Sequence, residues 1–436
     1  MLDKAIDSEE NTTLNFAGIR NEIQSAQLTF TAKVKITSFN LITADLKEDG
    51  GEATISKDLF DVYAERYIEI YNPFISDASY LSDAGYYPDA LVPIDRYKKR
   101  GEDRVEKGNN QAIWIDVNIP SDAKAGTYKG KFKLLLNEEE TDISVTLKIY
   151  DLDMPEKVNA PTLFDIWYQN ISYGEGDNLH ENTYQTYYEF LWTKRLNGTT
   201  LPPQYTSNMK DWVAYVETIA DNPKVTGYRI PSPSINQNLI RPKIEGQYTD
   251  EQITAAREKV KDDLKSRLKY ILDRNLELRK TDGQESVDLL KKAFFYYEDE
   301  PSRGPRTDCV KIFCAMLHKA KKELAADYAE EFATNPDLLE SLMGVDEICP
   351  SNYFFDNSLT VSENEDGTPN YDLSDGLTWW CPEADYAFDK AAKRESILKR
   401  QALGEKVWWY LCISNTPRPS YYVESLPINI RMMSWQ

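Results

Sequence analysis

The sequence at residues 293–302 reads Ala-Phe-Phe-Tyr-Tyr-Glu-Asp-Glu-Pro-Ser. Five apolar or aromatic residues are followed at once by three carboxylic acids and a proline. This run predicts a buried strand that ends at the acids, because proline cannot continue the hydrogen-bonded ladder of a central strand. Such a strand would deliver Glu298, Asp299 and Glu300 to the rim of a sheet or barrel.

Acids at such a rim suit one chemistry in particular. Cleavage of a glycosidic bond needs one carboxyl group to protonate the leaving oxygen and a second acid to stabilise positive charge near the anomeric carbon. The chain holds 72 acidic residues among 436, so neighbouring acids also arise by chance. Most charge runs are solvated surface, and a surface loop therefore stays open as the alternative reading of this motif.

Upstream, residues from about 12 to 150 show the pattern of β-strands. Apolar and polar residues alternate with period two over 112–119, 132–136 and 142–149, which indicates strands with one buried and one wet face. We predict an N-terminal antiparallel β-sandwich over residues 1–153. Two prolines, at positions 155 and 161, mark the segment that follows as a linker.

Downstream of this segment, strand-like and helical patterns alternate. Strand-like runs lie at 163–168, 293–297, 345–349 and 406–413, and helical stripes separate them. Thr249 and Gln252 have the spacing of a capping box at the start of the longest stripe. Alternation of this kind is typical of an α/β barrel or an open parallel sheet, and we predict a second domain over residues 154–436.

Composition excludes several classes of function. The net charge of −21 disfavours binding to nucleic acid or to anionic membranes, and no apolar segment is long enough for membrane insertion. Five cysteines fit no disulfide framework, and two histidines leave little material for a metal site or a Ser-His-Asp triad. We expect no metal and no cofactor. The N-terminus lacks the regions of a signal peptide, so we expect a cytoplasmic protein if Met1 is the true start, and a secreted or periplasmic one if a leader was removed.

The chain resembles a known family in several motifs. Residues 20–28, 87–93 and 110–130 resemble the β-sandwich that precedes the catalytic barrel in glycoside hydrolase family 123 and the wider domain-of-unknown-function family 4091. Residues 297–301, Tyr-Glu-Asp-Glu-Pro, fit the acidic motif of that family, and residues 407–412 fit a late barrel strand. The resemblance covers nearly the whole chain and implies a TIM-like barrel after the sandwich.

The resemblance also implies an activity and site residues. The family releases terminal β-linked N-acetylgalactosamine from glycans, with the acetamido oxygen of the substrate as nucleophile and with retention of configuration. By motif match, Glu300 would be the general acid/base, and Asp299 would orient and polarise the 2-acetamido group. Glu298 ranks below Glu300 as an alternative acid. Successive residues of a strand point to opposite faces, so Asp299 and Glu300 can serve one substrate only if the strand has already ended.

Aromatic residues are candidates for the wall of a sugar site. Alternation places Trp408 and Tyr410 on one face of their strand, and we predict that this face points into the barrel. Trp167, Tyr297 and Trp380 are further candidates for substrate binding. Packing of the barrel core is the open alternative for all five.

The resemblance leaves further alternatives open. In the family, the stretch that matches residues 431–435 is followed by more helix and another strand, so the resemblance implies a barrel shortened at its C-terminal end. A glycosidase of other sugar specificity and a non-catalytic carbohydrate-binding relative are the competing functions. The sequence gives no oligomeric state.

Overall fold

The computed structural model describes residues 11–70, 85–281, 287–301, 305–351, 377–383 and 391–410. Contacts between residues divide the chain into two compact units. The first unit contains the described residues up to Glu156, and the second begins at Lys157. Within the described residues, none of the helices combines the length and the apolar character that crossing a membrane requires.

The first unit is built almost entirely of strands. They are β1 (Thr13–Arg20), β2 (Ile23–Thr31), β3 (Phe39–Ile42), β4 (Leu46–Glu48), β5 (Thr54–Ile55), β6 (Phe60–Ile70), β7 (Gly85–Pro93), β8 (Asn110–Asn118), β9 (Gly126–Leu136) and β10 (Glu139–Asp153). One short helix, α1 (Ile94–Lys99), and a 3₁₀ turn (Lys57–Leu59) accompany them.

These strands form two sheets. One has the order β1-β10-β9-β4-β5, with β3 also paired to β9, and the other has the order β2-β8-β6-β7. All of these pairs are antiparallel except that of β1 with β10, which is parallel. The prediction of an entirely antiparallel sandwich is therefore wrong for this one pair. The reason is the tight turn at Asn21, which has a φ of 60°. This turn sends the chain from β1 into the opposite sheet, so β1 has no hairpin partner and lies beside the last strand.

The two sheets enclose one apolar core. The period-two pattern of the sequence is realised in β9 and β10, where Phe132, Val145 and Leu147 are buried. Phe132 meets Phe60 of the other sheet edge to face, with ring centroids 5.0 Å apart. The alternation of apolar residues therefore predicts the buried face correctly.

The second unit alternates helices with short strands. Its helices are α2 (Tyr168–Glu175), α3 (Thr183–Thr193), α4 (Met209–Ile219), α5 (Gln237–Ile240), α6 (Asp250–Thr281), α7 (Pro305–Asp327), α8 (Ala329–Thr334), α9 (Pro336–Met343) and α10 (Ala391–Ala402), with 3₁₀ turns at Gly176–Asn178 and Pro203–Tyr205. Its strands are β11 (Tyr228–Arg229), β12 (Ala293–Phe294), β13 (Ile348–Ser351), β14 (Trp379–Pro382) and β15 (Lys406–Val407).

The described strands of this unit pair in parallel and in chain order. β11 pairs with β12, β13 pairs with β14, and β14 pairs with β15. Single parallel bridges extend the series, and they join Phe164 to Gly198, Phe295 to Glu347, and Glu383 to Tyr410. Parallel neighbours joined through helices are the arrangement that the alternating pattern predicts. Closure of these strands into a barrel stays a prediction.

Several predicted boundaries move. The predicted strand 163–168 is reduced to the bridge at Phe164, because α2 already begins at Tyr168. Of the predicted strand 406–413, only Lys406–Val407 forms a strand, and residues 411–413 lie outside the described residues. Residues 431–435, which the family resemblance matched, also lie outside them. The capping box of α6 is confirmed, since the Thr249 N–H donates to Gln252 Oε1 at 2.9 Å and the Gln252 N–H donates to Thr249 Oγ1 at 3.3 Å.

The parallel strands have two different faces. We call one set of contacting side chains the inner cluster: it contains the buried Phe294, Ile348, Trp379 and Cys381 with the partly buried Leu163, Tyr296, Trp408 and Tyr410. Residues between them in sequence pack instead with the helices. Phe295 packs with α6 and α7, and Cys349 and Val407 pack against α7.

The burial pattern of β10 yields a stability prediction. We expect Leu147→Ala to lower the free energy of unfolding by about 2–5 kcal/mol, because it opens a cavity in the core between the sheets. Leu152→Ala is the matched control on the same strand, because Leu152 is 62% exposed whereas Leu147 is fully buried. Its cost should stay within about 0.5 kcal/mol. Urea unfolding measures both, and equal losses would contradict the assignment of faces.

Candidate active site

The strand that carries the acidic motif ends before the acids. The Phe295 N–H donates to the Asp346 carbonyl at 2.9 Å, and the Ile348 N–H donates to the Phe295 carbonyl at 2.8 Å. The ladder is not continued beyond this point. The N–H groups of Tyr297 and Glu298 donate instead to Oε1 of the Glu347 side chain, at 2.6 and 3.4 Å. The predicted end of the strand is therefore observed, and it comes ahead of Pro301.

Residues 298–300 then form what we call the acidic turn. Glu300 has a φ of 42°, in the left-handed region that residues other than glycine seldom adopt. The backbone is no longer extended here, so the alternation of side chains between two faces does not apply to Asp299 and Glu300. Strain of this kind concentrates at functional sites, although it does not by itself identify one.

The three acids of the turn have different surroundings. Glu298 is buried, accepts a hydrogen bond from Gln237 Nε2 at 2.8 Å, and pairs with the Arg306 guanidinium. Asp299 is exposed, and its Oδ1 accepts a hydrogen bond from the Tyr296 hydroxyl at 2.8 Å. The carboxylate of Glu298 is thus committed to structural partners on α5 and α7, which agrees with its lower rank as an acid.

Glu300 is held from another strand. Its Oε1 accepts a hydrogen bond from the Tyr410 hydroxyl at 2.5 Å. Tyr410 and Tyr296 both belong to the inner cluster, so Asp299 and Glu300 are each tied to that cluster by a tyrosine. Asp299 also lies close enough to Cys381 to act on its thiol, whose pKa is raised to about 12 by burial first and by Asp299 second. The structure therefore brings both predicted acids to the same aromatic surface.

A cation lies beside these acids. The Arg229 guanidinium stands over the Tyr296 ring, 4.9 Å from its centroid. Burial lowers the pKa of Arg229, and the charges of Glu347, Tyr296 and Asp165 oppose that shift. Burial raises the pKa of Tyr296, and the charge of Asp165, the residue after the bridged Phe164, adds to that rise. The rim thus combines carboxylates, which accept hydrogen bonds from hydroxyl or N–H groups, with the Arg229 guanidinium, which can donate hydrogen bonds to hydroxyl or carbonyl oxygens.

Three of these neighbours escaped the sequence analysis: Arg229, Glu347 and Glu383. Glu383 is buried, follows β14, and is bridged to Tyr410. For Arg229 and Glu383 a signal does exist, because each is a charged residue within or directly after a short apolar strand. Glu347 lies within the predicted strand 345–349 and gives the same signal, but the sequence does not show that its side chain reaches the backbone of a neighbouring strand.

Two of the predicted aromatics join the site. Trp408 and Tyr410 share the inner cluster, as the alternation predicts, and Trp408 packs edge to face on Trp379 with centroids 5.4 Å apart. Trp167 is 66% exposed and directly precedes α2. Tyr297 faces the helices and not the inner cluster, and its ring stacks on that of Phe313 of α7 with centroids 4.8 Å apart.

Trp380 requires a correction. It is 1% exposed and packs among helix-facing residues, where its Nε1 donates to Glu405 Oε2 at 2.7 Å and the Arg400 guanidinium covers its ring. A sugar has no access to a side chain buried in this way, so the prediction that Trp380 binds substrate is wrong. In the pair of tryptophans, it is Trp379 that belongs to the inner cluster.

Glu347 is the most deeply buried acid of this region. It is 1% exposed, and its Oε2 has no hydrogen-bond partner among the residues that the structure describes. Burial raises the pKa of Glu347 to about 8, against the N–H groups of Tyr297 and Glu298 and the charge of Arg229, which lower it. Across the described ranges, no group of three His, Cys, Asp or Glu side chains could hold a metal ion.

Comparison with known proteins identifies the N-terminal region. Residues 3–135 match the glycoside hydrolase 123 N-terminal domain. The structure is similar, with a TM-score of 0.57 and 13% identity, to a family 123 glycoside hydrolase from Clostridium perfringens, described in terms of glycolipid glycan hydrolysis, and the match covers 93% of this chain and 69% of that one. This likeness extends the agreement in fold to the second unit.

Other matches are too weak to support an argument. A β-glucuronidase from Parabacteroides merdae has a TM-score of 0.22 and 7% identity over 86% of this chain and 40% of its own. A PapD-like domain of human CEP192 has a TM-score of 0.18 and 10% identity over 33% of this chain and 84% of its own. A search of curated protein sequences finds no match.

The buried carboxyl of Glu347 predicts a pH dependence of stability. Its pKa rises from an ordinary 4.5 to about 8 on folding. Between these values the folded state holds a proton that the unfolded state has released, so stability should fall as pH rises across this window, by at most about 1.4 kcal/mol per pH unit. Glu347→Gln removes the titration and should flatten that slope.

Urea unfolding of both proteins at several pH values within this window measures the effect. Glu330→Gln, which removes an exposed acid on α8, is the control and should keep the slope of the unaltered protein. Parallel curves for the unaltered protein and Glu347→Gln would show that Glu347 does not titrate in this window.

Proposed function

We propose that this chain, whose residues 3–135 match the glycoside hydrolase 123 N-terminal domain, hydrolyses glycosidic bonds at the acidic turn. The observation that carries the proposal is the pairing of Asp299 with Tyr296 and of Glu300 with Tyr410. Two acids that follow a parallel strand are thereby held over one aromatic surface. The family match of the preceding domain supplies independent support.

We further propose that the second unit is a (β/α) barrel with this turn at the carboxyl ends of its strands. Parallel pairing in chain order and the intervening helices support this, as does the similarity in fold to the family 123 hydrolase. In such barrels the loops at the carboxyl ends of the strands form the active site. Residues 298–300, which directly follow β12 and its bridge, have this position.

The proposed reaction uses the substrate itself as nucleophile. The acetamido carbonyl oxygen attacks the anomeric carbon, and the bond to the leaving oxygen breaks as Glu300 protonates that oxygen. Asp299 accepts a hydrogen bond from the acetamido N–H and stabilises the positive charge of the oxazolinium. Water then attacks the anomeric carbon and gives its proton to Glu300, while the bond from that carbon to the acetamido oxygen breaks. This step regenerates the acetamido group, restores the enzyme and retains the configuration.

The tyrosines explain how two neighbouring acids can take different roles. Tyr296 follows β12 by two residues, so its hydroxyl ties Asp299 to that strand. Tyr410 follows β15 and is bridged to Glu383 after β14, so its hydroxyl ties Glu300 to these other strands. Holding reacting groups in place by contacts of this kind contributes a large part of enzymatic rate enhancement.

The proposed substrate is a glycan that ends in β-linked N-acetylgalactosamine. The motif resemblance supports this sugar, and the description of the Clostridium perfringens hydrolase supports a glycolipid glycan. Trp408 and Tyr410 would form the apolar wall of the sugar site. The Arg229 guanidinium would donate hydrogen bonds to sugar hydroxyl or carbonyl oxygens.

Participation of the acetamido group is the first consequence to test. We expect turnover of a chromogenic 2-acetamido-β-galactoside, and little or no turnover of the matching 2-hydroxyl galactoside, because the latter lacks the nucleophile. Comparison of kcat/KM for the two substrates measures this. Equal values would exclude the substrate-assisted route, whereas activity on a different 2-acetamido sugar only would change the specificity and keep the mechanism.

Substitution of the two acids separates their roles. We expect Glu300→Gln to lower kcat by about 10²–10⁴-fold on substrates with a poor leaving group, and less on activated substrates, because an activated leaving group needs no proton. Asp299→Asn should impair both, since the oxazolinium must form in either case.

Glu330→Gln is the control for loss of a negative charge and should leave kcat unchanged. Steady-state kinetics on a pair of substrates that differ only in the leaving group gives the comparison. An Asp299→Asn variant with unaltered activity would contradict the assignment.

A further inference from the structure

The acidic turn begins where a side chain replaces a backbone acceptor. In a parallel ladder every second N–H group faces the same neighbouring strand, so the Tyr297 N–H would be the next after Phe295 to donate to a carbonyl oxygen of β13. The Phe295 N–H still donates to the backbone of Asp346, but the Tyr297 N–H donates to Glu347 Oε1 at 2.6 Å. The Glu298 N–H points to the same oxygen at 3.4 Å. The chain therefore leaves the sheet while its N–H groups stay satisfied.

We propose that Glu347 is the positioning residue of the active site, which holds the acidic turn by accepting the backbone N–H groups of Tyr297 and Glu298. Glu347 itself contacts neither Asp299 nor Glu300 in the hydrogen bonds described above. It fixes the backbone immediately ahead of both acids. This proposal deepens the proposed function, and its effect on turnover rests on that function, whereas its effect on the backbone does not.

The other contacts described for the turn act at different points. Arg306 donates to the Glu298 carboxylate and, at 2.5 Å, to the Asp299 carbonyl, so it braces the middle of the turn. Tyr296 and Tyr410 hold the carboxylates at its far end. Glu347 alone among these residues takes the N–H groups at its start.

Burial makes the contact consequential. Glu347 is 1% exposed, Glu298 is 8% exposed and Tyr297 is partly buried. A buried N–H without an acceptor is costly, so loss of the Glu347 oxygen would force the backbone to move until water or another group satisfied it. Movement at this point would displace Asp299 and Glu300 together.

The role requires an acceptor and not a charge. A glutamine side chain has the same length and offers a carbonyl oxygen at the same place. Methionine has a similar volume and offers no comparable acceptor. Glu347→Gln and Glu347→Met therefore separate the hydrogen bond from the packing of the side chain.

Glu405→Met is the matched control. Glu405 is likewise buried, at 5% exposure, and it accepts a hydrogen bond from Trp380 Nε1, away from the acidic turn. This variant should lose stability through an unsatisfied buried donor while leaving the turn intact.

The experiment combines two readouts on the whole chain. Hydrogen–deuterium exchange at residue resolution reports the protection of the Tyr297 and Glu298 amides, and kinetics on the 2-acetamido-β-galactoside reports kcat and KM. We expect Glu347→Gln to keep the protection and to stay within about threefold of the original kcat. Glu347→Met should lose the protection and lower kcat by about 10–100-fold, with a smaller change in KM, because the displaced acids act mainly in the transition state. Glu405→Met should keep protection and kcat.

Two results would overturn the proposal: unchanged protection of both amides in Glu347→Met, or loss of protection in Glu347→Gln. If Glu347→Met does not fold, Glu347→Asp, which withdraws the carboxylate by one methylene, must show reduced protection, and unchanged protection would again overturn it. A protein without glycosidase activity would refute the proposed function, and the exchange measurement would still decide whether Glu347 holds the turn.

Discussion

The hydrogen bonds from the backbone of Tyr297 and Glu298 to the carboxyl of Glu347 mark the point where the sheet stops and the candidate site starts. An extended strand would direct consecutive side chains to opposite faces, and Asp299 and Glu300 could then not act on one sugar. Because a side chain accepts these N–H groups, the backbone turns while its donors remain satisfied. The later contacts of the turn, with Arg306 and with two tyrosines, all depend on this departure from the ladder.

The surroundings of the turn are consistent with a neutral substrate. The chain has a net charge of −21, and the rim of the candidate site contains Asp165, Asp299, Glu300 and Glu383 near the guanidinium of Arg229. The Arg306 guanidinium is already paired with Glu298. An anionic sugar would be repelled by such a rim, whereas a neutral sugar can donate its hydroxyl groups to the carboxylates. The aromatic inner cluster below supplies the apolar surface against which a sugar ring can lie.

Local patterns predicted much of this arrangement. The apolar run before the acids predicted the buried strand and its end, period-two alternation predicted the inner positions of Trp408 and Tyr410, and the spacing of Thr249 and Gln252 predicted the start of α6. Each of these inferences depends on residues that are close in sequence. The physical rules that govern them, side-chain periodicity and capping, act over a few residues.

The features that the sequence analysis missed depend on contacts between residues that are far apart in sequence. Glu347 acts on a strand about 50 residues away, and its role depends on which strands are neighbours. Trp379 and Trp380 are adjacent, so hydrophobicity alone leaves open which of them faces inward, and the pairing with Val407 and the contact with Glu405 decide it. The parallel pairing of β1 with β10 likewise follows from a crossing between sheets and not from the pattern of either strand.

Binding of an oxazoline mimic tests the central claim most directly, because it requires no turnover. A galactose-configured thiazoline resembles the oxazolinium intermediate that Asp299 is proposed to stabilise, and an enzyme is complementary to that charge distribution. We predict that isothermal titration calorimetry detects one site on the unaltered protein and that Asp299→Asn weakens binding by at least about tenfold, while Leu152→Ala leaves the Kd unchanged. Absence of binding, or an unchanged Kd in Asp299→Asn, would contradict the account.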